Sequence, residues 1–360
     1  MQECYREGLS WLAHSGIQTA SGGVSRYFAG DRGQYRGIST EITGYCIQAY
    51  LSLPLPGEPG LLSHALRAGQ FLCYDAGDPQ AGLFPFEVPL TGFPPSDTAY
   101  FFDCGIIMRA LLALWNTTAD PLYLERAERC GAALMGQMSR VDGSFFPVCD
   151  LRSGAPSCGE DRWSLESGVY QLKTGLAFME LAEAISSTMF SKTAEELLNW
   201  SLRHRELFLP GASEPERVAD RLHAYCYFLE GLLPFLKRRF DCAQVLQAGI
   251  TRVEKLALET RRALERSDVT AQLLRLRLLA DYSGVMELDQ SAASWEAESL
   301  PAFQLFTSDP RTNGAFSFGR REGHLLPHAN PASTIFCLQA LRMWQDYQDG
   351  VLRTTWRELI

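Results

Sequence analysis

Residues 39–51 read Ser-Thr-Glu-Ile-Thr-Gly-Tyr-Cys-Ile-Gln-Ala-Tyr-Leu. A short polar lead-in is followed by an almost wholly apolar run. Thr40 is placed to cap a helix, and Glu41 then falls in the first turn, where the helix dipole favours a negative charge. Glu41, Tyr45 and Gln48 are spaced i, i+4, i+7 and share one face. The remaining positions are hydrophobic all round, which is the pattern of a helix buried on every side.

Five more stretches follow this plan. Buried helices are expected to begin near residues 41, 104, 166, 223, 270 and 331. Each is preceded by an amphipathic element with one wet face. The third of these is the most legible: Asp120-Pro121 is a capping residue followed by proline at the first helical position. Pro54 and Pro56 are expected to stop the first buried helix, and Pro210-Gly211 to close the fourth amphipathic one. Glycine-aromatic connectors recur at Gly82-Leu-Phe84-Pro-Phe86, Gly143-Ser-Phe145-Phe146 and Gly314-Ala-Phe316-Ser-Phe318.

A period of roughly 45 to 65 residues marks a repeat architecture. Six pairs are best closed into a ring, with six buried inner helices and six outer helices. The expected fold class is therefore all-α, an (α/α)6 toroid formed as one domain over residues 1–360. An open helical solenoid is the competing arrangement, but it does not require every second helix to be apolar all round.

These features resemble the six-hairpin glycosidase superfamily and its (α/α)6 relatives. Those include sugar 2-epimerases, unsaturated glucuronyl hydrolases, polysaccharide lyases and uronyl C5-epimerases. The resemblance covers nearly the whole chain and rests on the repeat pattern, so it implies architecture and a carbohydrate substrate more than a reaction.

In such a ring all six inner N-termini meet at one end, and first-turn polar residues line one funnel. Glu41, Asp103, Glu166 and His223 are the candidate catalytic residues. Arg26, Tyr45, Asp97, Phe146, Tyr170, Lys173, Tyr227, His328 and Asn330 are the candidate substrate-binding residues. Connector phenylalanines can stack on sugar faces or plug the gaps between hairpins. Two carboxyl groups about 5 to 9.5 Å apart suit glycoside hydrolysis. His223, Tyr170 or Lys173 as base, with Arg26 or Arg109 as the cation beside a uronate, suits epimerase or lyase chemistry. A toroid that only binds a glycan or a protein is the non-enzymatic reading. Lys173, inside an apolar helix, needs a partner, and Glu166 or Tyr170 on the same face is expected to supply it.

Composition narrows the rest. A net charge of −9 gives no basic stripe for nucleic acid. No run of about 18 apolar residues predicts a membrane span. The first residues lack a signal-peptide pattern, and most of the ten cysteines lie in apolar runs, so a cytoplasmic protein is expected. No Cys-x-x-Cys pair, Gly-rich phosphate loop (Gly77, Gly82 and Gly92 are too far apart) or nucleophile elbow occurs, so neither metal nor cofactor is expected. The expected partner is an oligosaccharide or uronic-acid substrate.

Overall fold

The computed structural model describes residues 1–53, 61–78, 80–90, 95–160, 162–209 and 214–360. The expected stops at Pro54, Pro56 and Pro210-Gly211, and Gly92, lie outside the described residues. Among those described are twelve α-helices: α1 (Gln2–His14), α2 (Thr40–Ser52), α3 (Leu62–Gln70), α4 (Phe101–Thr118), α5 (Pro121–Met138), α6 (Leu172–Ala184), α7 (Thr188–His204), α8 (Pro215–Leu232), α9 (Phe240–Thr260), α10 (Ser267–Tyr282), α11 (Gln290–Ser299) and α12 (Pro331–Gln348).

The even-numbered helices form the inner ring. Each packs on the next, from α2 to α4, α6, α8, α10 and α12, and α12 returns to α2. The ring is closed, so the fold is an all-α (α/α)6 toroid and not an open solenoid. Burial follows the sequence pattern: every residue of α4 from Phe101 to Leu112 is buried, and so is every residue of α2 from Ile42 to Tyr50.

One pairing differs from expectation. The sequence couples each outer helix with the inner helix that follows it. In the structure each outer helix packs chiefly on the inner helix that precedes it, α3 on α2, α5 on α4 and α7 on α6, while α1 packs on α12. Connection length explains this. Only Ala119 and Asp120 separate α4 from α5, which forces an antiparallel hairpin, whereas residues 139–171 lie between α5 and α6.

The long outer-to-inner connections gather at the N-terminal end of the inner ring. They carry strands of two or three residues, such as Ile38–Ser39 before α2, Thr98–Tyr100 before α4, Glu265–Arg266 before α10 and His328–Ala329 before α12. Phe28–Ala29 pairs with His328–Ala329, which laces the first connection to the last. The connectors share a left-handed glycine: φ is 99° at Gly22, 79° at Gly82, 87° at Gly143 and 93° at Gly314. A side chain at Gly22 would meet the Arg67 carbonyl of α3 at 2.2 Å, and one at Gly314 the Glu7 carbonyl of α1 at 2.6 Å. Glycine therefore provides both the backbone conformation and the close approach.

Two helix starts also differ from the sequence reading. α6 begins at Leu172, after a 3-10 turn over Val169–Gln171, and Glu166 is extended with φ −99° and ψ 144°. The chain is tied down there instead: Ser167 Oγ donates to the Phe145 carbonyl at 2.8 Å. α8 begins at Pro215, two turns before His223, using proline at the position where no amide is needed.

Candidate functional site

A cavity of about 400 Å³ opens at the N-terminal end of the inner ring. The chain builds it in a regular way. Ser39, rather than Thr40, caps α2 by accepting from the Ile42 amide at 3.2 Å. Thr40 Oγ1 donates to the Pro85 carbonyl at 2.6 Å, and Thr43 Oγ1 accepts from the Val24 amide at 2.9 Å. These bonds fix the start of α2 and place Glu41 in its first turn, facing the cavity. Asp103 occupies the first turn of α4 and Asp268 that of α10. His223 and Tyr227 reach the cavity from α8, one turn apart. Asn330 caps α12 by accepting from Ser333 at 3.0 Å.

Cations and aromatic rings complete the wall. Arg26, Arg162 and Arg266 line the cavity with Phe86, Tyr100, Trp163 and Phe318. Arg26 is exposed, with its guanidinium 5.3 Å from the Phe86 ring and 3.4 Å from Glu87 Oε2. Arg266 donates twice to Asp268, at 2.9 and 2.6 Å, and lies 4.3 Å from the Phe318 ring. The Trp163 ring stands edge-on to His223 at 4.8 Å.

The titratable groups are strongly perturbed. Burial pushes the Glu41 carboxyl up to about 7, with Arg26 opposing. Asp103 is also raised, first by burial and then by the Glu41 charge. Two acids in one low-dielectric wall cannot both ionise freely, so the Glu41 charge opposes ionisation of Asp103. Asp103 Oδ2 has no hydrogen-bond partner among the described residues. His223 is lowered to about 3 by burial and by the Arg266 charge, so its imidazole is neutral near pH 7. Asp268 goes the other way: burial works to raise it, and Arg266 outweighs that and holds it below the usual carboxylate range.

Of the residues singled out from sequence, the cavity brings together Glu41, Asp103, His223, Arg26, Tyr227, His328 and Asn330. The others lie elsewhere. Glu166 is extended, bonds to Arg221 and lies 3.8 Å from Arg217. Tyr170 is buried and donates to the Glu166 carbonyl at 2.9 Å. Lys173 does not pair with either; it meets Glu230 at 2.7 Å in the middle of the barrel, both side chains being fully buried. Tyr45 is buried beneath the cavity, where its phenol adjoins that of Tyr227. Asp97 pairs with Arg152 at 2.6 Å, and Phe146 lies under Arg140. Arg109 faces the opposite end, on Glu180.

The connector phenylalanines divide between both expected uses. Phe84, Phe145 and Phe316 are buried between hairpins, and Phe86 and Phe318 line the cavity. Sequence reasoning passed over Tyr100, Arg162, Trp163 and Arg266. Arg266 and Tyr100 carried a readable signal, since each stands two or three residues before a first-turn acid. Trp163 arrives on a loop and carried none. Among the described residues no group of three or more His, Cys, Asp or Glu side chains is arranged to hold a metal ion. All ten cysteines are free thiols, Cys149 and Cys158 included. No described helix is long and apolar enough to cross a membrane.

No family model matches the sequence, and comparison with curated proteins gives no match. Solved structures do match. A sugar epimerase from a ruminal bacterium superposes with a TM-score of 0.67 at 13% identity, covering 94% of this chain and 98% of its own. A D-mannose isomerase gives 0.69 at 11% identity, covering 95% and 96%. An unsaturated glucuronyl hydrolase specific for heparin gives 0.65 at 12% identity, covering 98% and 99%. The fold is thus the six-hairpin toroid, shared end to end with these proteins.

Proposed function

We propose that the chain is a carbohydrate-active enzyme, a glycoside hydrolase that cleaves an oligosaccharide or uronic-acid-containing glycan by carboxylate acid/base catalysis. The observation that carries this reading is the Glu41–Asp103 pair, two acids from adjacent inner helices that line one cavity and are both held above the usual carboxylate range. The protonated member gives its proton to the glycosidic oxygen as the bond to the anomeric carbon breaks. The ionised member either takes a proton from the attacking water or attacks the anomeric carbon itself. Phe86, Tyr100, Trp163 and Phe318 offer rings to stack on sugar faces, and Arg26 and Arg162 offer charge to a uronate carboxylate. The similarity in fold to a glucuronyl hydrolase supports the same class.

The test is release of reducing sugar from a panel of neutral and uronate-containing oligosaccharides. Cleavage by the wild type and its loss in Glu41→Gln and Asp103→Asn supports the reading. Cleavage that survives both substitutions removes it.

His223 favours a second reading. An imidazole beside Tyr227 in the cavity is placed for proton abstraction next to a sugar carbonyl, as an epimerase or isomerase requires, provided that a bound substrate raises it from about 3. Two of the superposed structures are a sugar epimerase and a mannose isomerase. Proton NMR in deuterium oxide separates the two: epimerisation exchanges a carbon-bound proton without new reducing ends. Saturable glycan binding with neither reaction would leave a binding toroid.

A further inference from the structure

The opposite end of the barrel is occupied by the chain itself. After α12, Gly350 adopts φ 72°, and residues 351–360 run back into the C-terminal mouth of the inner ring. This strap has neither helix nor strand, and the inner helices grip its backbone. Arg109 donates to the carbonyls of Trp356 at 3.2 Å, Arg357 at 2.9 Å and Leu359 at 2.7 Å. Gln339 donates to the Glu358 carbonyl at 2.8 Å and accepts from the Ile360 amide at 3.1 Å. The Ile360 carbonyl accepts from Arg275 at 3.0 Å and from Lys173 at 3.4 Å. Leu359 and Ile360 are fully buried as apolar anchors. Backbone bonds with two apolar pockets are how proteins bind extended peptides. A cavity of about 750 Å³ remains beside the strap, so its flank is loosely packed while its end is held.

The strap reaches the middle of the barrel from below, as the funnel does from above. Lys173 and Arg275 share one carboxylate, Glu230, at 2.7 and 2.8 Å. The Ile360 oxygen is a second acceptor that both contact. Lys173 Nζ lies 6.0 Å from the Tyr227 ring, and Tyr227 lines the funnel.

We propose that the far mouth is a peptide-binding site filled in cis by residues 351–360, and that this strap props the funnel floor through Lys173, Arg275 and Tyr227. The proposal holds whether or not the funnel hydrolyses glycans, and its readouts do not use activity. The experiment compares the full chain with one ending at Gly350, with and without a synthetic peptide of residues 351–360. Hydrogen exchange and melting temperature are measured. Expected are a melting temperature lower by about 5 °C or more and exchange in residues 223–231 faster by about tenfold or more. The peptide restores both saturably, and a scrambled peptide does not. A rise in exchange confined to the last turns of α4 and α6 would make the strap a local cap and overturn the proposal. So would failure of the peptide to act on a shortened chain that is still helical. If the shortened chain does not fold, full-length Arg109→Gln replaces it; unchanged exchange in residues 223–231 then overturns the proposal.

Discussion

Two sets of ionisable side chains sit on the inner ring, with His223 and Glu230 two turns apart on α8, and they are treated in opposite ways. In the middle of the barrel, Glu230 accepts from Lys173 and Arg275, and Gln272 lies 3.4 Å from the same carboxylate. Each formal charge there has an opposite charge in contact. In the funnel, Glu41 and Asp103 line one cavity as like groups, one oxygen of Asp103 has no partner among the described residues, and His223 is held neutral. Burial alone does not distinguish a structural charge from a chemical one. The presence or absence of an opposite charge in contact does: a buried charge already matched by the protein is held in the structure, and an unmatched acid is available to a substrate.

The sharpest way to break this contrast is to remove the common partner in the core. Glu230→Gln removes the carboxylate that buried Lys173 and Arg275 both contact. A loss of about 3–5 kcal/mol is expected, read as a shift in the urea midpoint. Lys173→Met should cost less, because Glu230 keeps Arg275. Equal stability of wild type and Glu230→Gln would show that the core set is not structural.

Asp103→Asn is the opposite experiment. It removes a carboxyl whose ionisation is opposed by burial and by Glu41, so the melting temperature should stay within a few degrees. Under the hydrolase reading, sugar release should fall by about a hundredfold or more. Both quantities must be measured on the same preparation. A large loss of stability would place Asp103 with the core set.

The helical ring was legible in the sequence because its physics is local. A helix almost wholly apolar, as in residues 104–114 with Arg109 as the one charge, has no place on a surface, and six of them in register leave little but a closed ring. The acids at 41 and 103 were legible for the same reason: position in the first turn depends on neighbours in sequence. What failed to read out depends on distance. Lys173 pairs with a residue 57 positions away on the adjacent helix, and spacing along one helix says nothing about the next. Glu166 looked like a first-turn acid, but Gly168 is extended and the helix starts after it. Trp163 comes to His223 on a connection whose path no periodicity encodes.

The contrast also predicts a pH dependence of stability. Glu41 is raised from its ordinary 4.5 to about 7, so the folded chain holds that proton more tightly than the unfolded one. Its contribution is present in full below pH 4.5 and is lost as the pH rises through 7. His223 is lowered from 6.5 to about 3, so its contribution is full above pH 6.5 and is lost as the pH falls toward 3. Between pH 4.5 and 6.5 the two oppose each other. Melting curves across about pH 3 to 9 should therefore show a shallower alkaline fall in Glu41→Gln and a shallower acid fall in His223→Gln. Curves parallel to wild type in both variants would show that neither group is perturbed by its surroundings.

The smallest effect is expected at Glu166, and it sharpens the boundary of the site. This carboxylate lies near the funnel end, yet both its neighbours are arginines: it bonds to Arg221 and lies 3.8 Å from Arg217. Its side chain keeps 25% of its exposure, so the Arg221 pair is partly screened by water. Glu166→Gln keeps a hydrogen-bond acceptor and removes only the charge. A stability loss of about 1 kcal/mol or less is expected, with sugar release unchanged within about twofold, because a carboxylate paired with arginine outside the cavity takes no part in proton transfer. Loss of turnover at unchanged stability would move Glu166 into the reacting set. It would also mean that a substrate opens the Arg221 contact, and that a partner in the free protein does not by itself separate structure from chemistry.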